Sequence, residues 1–205
     1  MKNAQGLSSI FSRIRWNSPA FWAFRQNDGF SLIEVGVFLL VACSVAGFAL
    51  IQMQEIMPGM NANQAMYQTV AQLRHGRELA ITQRRSVQLD FLEGRQIRLV
   101  QNGLPNGETL LSTVSLSNNC GFMQFDEVDQ DTPDRFGNSK AVDFGNAQEY
   151  TFLTDGTLID ESGNPVNGTI FLGLPNHPEV ARAVTILGAT GRVRSYRWNG
   201  SQWLP

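Results

Sequence analysis

Covalent chemistry needs nucleophiles, bases or metal ligands at workable spacing, and this chain offers few of them. His75 and His177 are the only histidines, and Cys43 and Cys120 the only cysteines, among 205 residues. Two cysteines by themselves cannot form a four-ligand zinc site, and triads, proton shuttles and His-based metal sites start with little material. No Gly-x-Ser-x-Gly, phosphate-loop or dinucleotide-binding glycine pattern occurs either. The stretch Asp126-Glu127-Val128-Asp129-Gln130-Asp131-Thr132-Pro133-Asp134 has alternate carboxylates of the kind a hard cation takes. It lacks both the central glycine and the closing glutamate of a calcium loop, so it reads as a solvated, mobile acidic loop. No catalytic residue, metal ligand or cofactor is assigned, and the chain is not expected to be an enzyme.

Two other charge patterns stand out. After Glu179 there are no acids, while Arg182, Arg192, Arg194 and Arg197 are interleaved with Tyr196, Trp198 and Trp203. In a strand Arg192, Arg194 and Tyr196 share one face, which puts two guanidinium groups about 7 Å apart, within reach of successive phosphates. The rest of the chain opposes such binding. Overall 16 Lys and Arg face 18 Asp and Glu, and after Gly29 the balance is 12 to 17. The second pattern is a single carboxylate, Glu34, set among apolar residues.

Residues 35 to 51 are uncharged, and Phe30 to Ile33 extend the apolar stretch upstream across Glu34. The run from 30 to 51 would make about 33 Å of helix, enough for a hydrocarbon core of about 30 Å. Lys2, Arg13, Arg15 and Arg25 precede it against Asp28 alone, a bias that puts the N-terminus in the cytoplasm and the rest across the membrane. Cys43 then lies in the span, where Cys120 cannot meet it, and no disulfide is expected. A carboxylate within a span costs about 2.5–3.5 kcal/mol near the bilayer centre and less near an interface, so Glu34 needs a partner or a function.

Gly29-Phe30-Ser31-Leu32-Ile33-Glu34 resembles the prepilin peptidase motif of type IV pilins and type II secretion pseudopilins. The resemblance implies cleavage between Gly29 and Phe30 by a prepilin peptidase, N-methylation of Phe30, and retention of the apolar segment as a helix. It also implies that Glu34 pairs with the N-terminal amine of a neighbouring subunit. The chain departs from the pattern in a long leader and in Asp28, which stands where a basic residue is usual; slower cleavage is the expected consequence. Pro19, Phe21, Trp22 and Phe24 of the leader suit a membrane surface.

Past the span, Ile56, Met60, Met66, Tyr67, Val70, Leu73 and Ala80 recur at three- and four-residue steps, predicting a helix to about Arg84. Pro58-Gly59 predicts a kink or melted turn within it. Arg74, Arg77, Arg84 and Arg85, with His75, read as a solvated helix face. From Ser86 period-two patterns take over: Val87, Leu89 and Phe91, a turn at Glu93-Gly94, then Ile97 and Leu99. Further strand-like runs are 109–116, 141–144, 150–153, 169–174, 180–187 and 192–198.

The fold class is thus α+β: a long N-terminal helix, transmembrane then amphipathic, packed against an antiparallel sheet of about seven strands. The organisation is a leader 1–29, a transmembrane helix 30–51, an amphipathic stalk 52–85 and a periplasmic β domain 86–205. The helix segment 70–81, Val87-Gln88-Leu89, and Val184-Thr185-Ile186 leading to Gly191-Arg192-Val193-Arg194 resemble the GspH/FimT group of minor pilins. That implies an inner-membrane, single-pass subunit of a periplasmic filament serving protein secretion or a pilus. Its implied partners are the peptidase, other pilins or pseudopilins, the secretin and exported protein. The alternative is a FimT-like subunit that captures DNA for uptake through Arg192, Arg194 and Arg197.

Overall fold

The computed structural model describes residues 31–103, 107–128 and 130–205, apart from the side chains of residues 49–52, 54, 55, 102 and 103. The leader, the Gly29/Phe30 cleavage position and Asp129 lie outside the described residues. The chain divides into two units, residues 1–46 and 47–205.

One helix, α1 (Leu32–Gln83), enters both units. In the first unit its described residues are uncharged apart from Glu34, and its large side chains are bare, from Leu32 at 92% exposed through Phe38 and Leu40. Among the described residues no helix is long and apolar enough to cross a membrane; of the 30–51 run, side chains are described for 31–48.

Within the second unit α1 remains helical through Pro58, so of the kink or melted turn expected there the melted turn does not occur. A proline inside a helix forfeits one backbone hydrogen bond and crowds one carbonyl, and the turns on either side carry it. The buried face then runs through Ala62, Ala65, Met66, Thr69, Gln72, Leu73 and Ala80. Ile56, Met60 and Tyr67, expected in the apolar stripe, are exposed instead. The reason is steric. The buried face mixes Met66 and Leu73 with small residues, and the alanines and Gly76 leave room for strand side chains while the bulky Tyr67 turns out. A Cβ on Gly76 would stand 2.9 Å from Leu99 Cδ2.

The strands are β1 (Val87–Leu92), β2 (Gln96–Gly103), β3 (Gly107–Ser115), β4 (Gly121–Phe122), β5 (Val142–Asp143), β6 (Tyr150–Phe152), β7 (Leu158–Ile159), β8 (Gly168–Leu174), β9 (His177–Leu187), β10 (Arg192–Trp198) and β11 (Trp203–Leu204). They form two antiparallel sheets, ordered β3-β2-β1-β6-β7 and β11-β10-β9-β8-β4, with β5 also on β8. One sheet of about seven strands was expected. The extra strands β4, β7 and β11 have two residues each, too few to show a period of two. The β1–β2 hairpin forms where expected: Glu93 and Gly94 both take positive φ and the Leu92 carbonyl accepts from Arg95 N at 3.1 Å.

A single apolar cluster joins α1 to both sheets: Leu73 and Ala80 from the helix, Val87, Leu99 and Phe152 from the first sheet, Ile170, Leu172 and Ile186 from the second. Two of the buried polar side chains on the helix have hydrogen-bond partners, one on the helix and one on a strand. Thr69 Oγ1 donates to the Ala65 carbonyl at 2.9 Å, and Gln72 Nε2 donates to Ser112 Oγ at 3.2 Å. A second cluster, with Phe171, Ala183, Tyr196, Trp198 and Trp203, lies on the outer face of the second sheet under the segment that contains Phe125 and Val128.

These positions separate two residues that periodicity placed together. Leu73→Ala is expected to cost about 2–5 kcal/mol, because a fully buried side chain leaves a cavity. Tyr67→Ala, at 64% exposed, should stay within about 0.5 kcal/mol of the parent. Urea unfolding of the full chain in detergent measures both; equal losses would contradict the helix orientation.

Candidate functional site

The C-terminal arginines sort themselves by the face of the second sheet on which each falls. The β9–β10 hairpin pairs Arg194 with Thr185 and Arg197 with Arg182. On β9, Arg182, Val184 and Ile186 alternate with Ala181, Ala183 and Thr185. The first set faces α1. Arg182 is buried there, its Nε donating to Asn63 Oδ1 at 2.8 Å and its Nη1 to the carbonyls of Val180 and Ala181. Burial, reinforced by the charge of Arg197, pushes its pKa down. It is a helix-to-sheet tie, not part of a surface patch. A lone arginine inside Val180-Ala181-Arg182-Ala183-Val184 was the signal for that role.

The outer face carries a polar constellation. Asp134, whose side chain is only 10% exposed, accepts from Thr185 Oγ1 at 2.6 Å, Tyr196 OH at 2.9 Å and Arg194 Nη1 at 2.7 Å. Desolvation pushes this carboxyl upward, but the Thr185 and Tyr196 hydrogen bonds and the Arg194 charge outweigh it and hold it below the ordinary carboxylate value. Nearby, Trp203 Nε1 donates to the Gln130 carbonyl at 2.8 Å, and Asp131 accepts from the backbone N–H of Thr132 and Gly137. The expectation of a solvated, mobile acidic loop therefore fails at its C-terminal end. Asp134 is bound to strand residues 51 to 62 positions away, and no local pattern announces such a contact.

Of the three arginines assigned to DNA in the alternative reading, Arg194 is thus paired. Arg192 and Arg197 are exposed and make no side-chain hydrogen bond or ion pair among the described residues. Arg192, Arg194 and Tyr196 do share a face of β10, but Tyr196 is buried beneath the Asp134 segment. Glu34 lies in the first turn of α1 with its side chain exposed. Among the described residues no three His, Cys, Asp or Glu side chains are gathered so as to hold a metal ion. Cys43 and Cys120 are free thiols.

No family model and no curated protein matches the chain. Among solved structures it is similar to the minor pseudopilin EpsH from the type 2 secretion system of Vibrio cholerae, at 13% identity over 67% of this chain and 97% of that one, with a TM-score of 0.46. It is likewise similar to the type IV minor pilin FimU of Pseudomonas aeruginosa, at 16% identity over 74% of this chain and 96% of that one, with a TM-score of 0.44.

The Asp134 cluster sets an acid limit on stability. A carboxyl with a lowered folded-state pKa contributes stability that is complete above its unfolded value, about 3.9, and is lost as pH falls through the folded value. Asp134→Asn should cost about 1–3 kcal/mol at neutral pH, the range for removing a charged hydrogen-bond partner. That penalty should shrink in acid below about pH 4. Urea midpoints followed by tryptophan fluorescence across pH check this, and a penalty that does not change with pH would refute it.

Proposed function

We propose that the chain is a minor pilin or pseudopilin: a non-enzymatic subunit, cleaved after Gly29, anchored in the inner membrane by residues 30–51 and assembled into a periplasmic filament. The observation that carries this reading is the uncovered apolar part of α1, which begins directly behind the Gly29–Glu34 motif. Residues 35 to 48 expose Phe38, Leu40, Val45 and Phe48 with no protein laid over them. A continuous apolar surface of that kind is not left to water. Lipid covers it before assembly and other subunits cover it afterwards.

Glu34 gives the packing a register. Its carboxylate is costly in hydrocarbon unless a cation is delivered to it, and a free amine at Phe30 of a neighbouring subunit supplies one. The β domain, held on the same helix by the cluster around Leu73, Leu99 and Phe152, then presents its surface to the other filament components. The resemblances in the leader motif and in residues 70–89 support a secretion or pilus machine. A second reading, DNA capture, rests on Arg192 and Arg197, the two exposed and unpaired arginines of the hairpin.

Intact mass of the membrane-extracted protein, expressed with and without a prepilin peptidase, tests the proposal. The expected product is a peptidase-dependent species that starts at methylated Phe30. A chain left whole, or cut beyond residue 51, would overturn the filament reading. Glu34→Gln should leave cleavage intact and lower incorporation into filaments by roughly tenfold or more, the factor that about 1.4 kcal/mol supplies. Sheared-filament immunoblots read the incorporation. Duplex binding at low salt that disappears in an Arg192→Ala, Arg197→Ala variant would turn the assignment to the second reading.

A further inference from the structure

Between the last turns of α1 and the β9–β10 turn lies an open groove of about 750 Å³. Its floor is apolar, formed by Ile81, Leu187 and Val193, and its rim carries Arg74, Arg77 and Arg192. Arg74 and Arg192 are exposed and have no hydrogen-bond or ion-pair partner among the described residues. Glu78, the acid among the lining residues, pairs with none of the three arginines.

Arg77 is held in place by backbone. Its Nε donates to the Gly156 carbonyl at 3.3 Å, and its stem is pressed between Gly156 and Gly191, both at positive φ. A Cβ on Gly191 would fall 2.6 Å from Arg77 Cδ, and one on Gly156 would fall 2.8 Å from Arg77 Nε. Only glycine at both turns leaves room for the side chain. The side chain is half-buried and makes no other hydrogen bond among the described residues, so its Nη groups are open to solvent or to a ligand.

We propose that this groove is a docking site for an acidic segment of another protein, one that carries carboxylates on either side of an apolar side chain. Arginine forks match carboxylates through two parallel N–H···O bonds, and a preset guanidinium loses less freedom on binding. The floor supplies what a phosphate polymer has no use for, three aliphatic side chains. Glu78 on the rim and the excess of acids over bases in the whole chain, 18 against 16, work against a continuous polyanion and leave a short acidic peptide as the better complement. The inference concerns the end of α1 and the β9–β10 hairpin, all within residues 47–205, and does not depend on processing or assembly.

The test uses the full chain in detergent micelles and the peptide acetyl-Glu-Asp-Leu-Glu-Asp-amide, with its Gln/Asn counterpart and a short DNA duplex as controls. Methyl NMR of Ile81, Leu187 and Val193 reads groove occupancy. Saturable shifts with a Kd on the order of 0.1–1 mM are expected for the acidic peptide, and none for the neutral one. Arg74→Glu with Arg192→Glu, both on exposed positions, should weaken binding by about tenfold or more while the remaining spectrum is unchanged. Arg77→Lys, which keeps the charge and loses the fork, should weaken it by a smaller factor. No methyl shift up to about 5 mM peptide, binding unaffected by the arginine substitutions, or tighter occupancy of the same methyls by the duplex would each overturn the proposal.

Discussion

One face of α1 organises the larger core of residues 47–205. The cluster that includes Leu73, Leu99, Phe152, Ile170 and Ile186 draws on the helix and on both sheets. Burying a side chain such as Leu73 stabilises by about 1.5–3 kcal/mol. The closeness of approach depends on what is missing. Ala62, Ala65 and Ala80, all buried, and Gly76, whose absent Cβ would crowd Leu99 and Phe152, leave room for side chains of the strands to pack against the helix. The two polar residues on that face, Thr69 and Gln72, have partners that prevent them from opposing the packing.

The outer face of the second sheet is a different problem. Phe171, Trp198 and Trp203 would be bare there, and residues 123–128 and 130–139, with little regular structure of their own, cover them. Such a segment cannot rely on a hydrogen-bond ladder. It is fastened by a few strong contacts instead, chiefly Asp134 with Thr185, Tyr196 and Arg194, and the Trp203 indole with the Gln130 carbonyl. One consequence is electrostatic. Four arginines that form a single basic run along the chain have separate fates: Arg182 is buried against Asn63, Arg194 is paired, and Arg192 and Arg197 reach solvent.

The N-terminal part of α1 follows the opposite rule. It offers apolar side chains in every direction, so no single protein face can cover them. The same helix thus combines a stretch suited to burial by many neighbours with a stretch buried by its own chain. That division is what the filament reading needs: the first part is shared among subunits, and the second belongs to one of them.

What the sequence determined by itself was whatever depends on neighbours a few positions apart. The apolar run from Phe30 to Ile51, the helix to about residue 84, the β1–β2 hairpin and most longer strands follow from local periodicity and turn residues, which act over one or two turns of chain. The inward face of the helix was only half legible. Periodicity counts Tyr67 and Ile56 as candidates for the core and passes over Ala62 and Ala65, whereas the close approach of a sheet favours the small residues. Tertiary structure alone decided the rest: the split into two sheets, Gln72 with Ser112, Arg182 with Asn63, and Arg194 with Asp134. Those partners are 40 to 119 positions apart. A contact at that separation forms only after the intervening chain has been folded back, so its energy depends on the whole topology and leaves no trace in the spacing of the residues that make it.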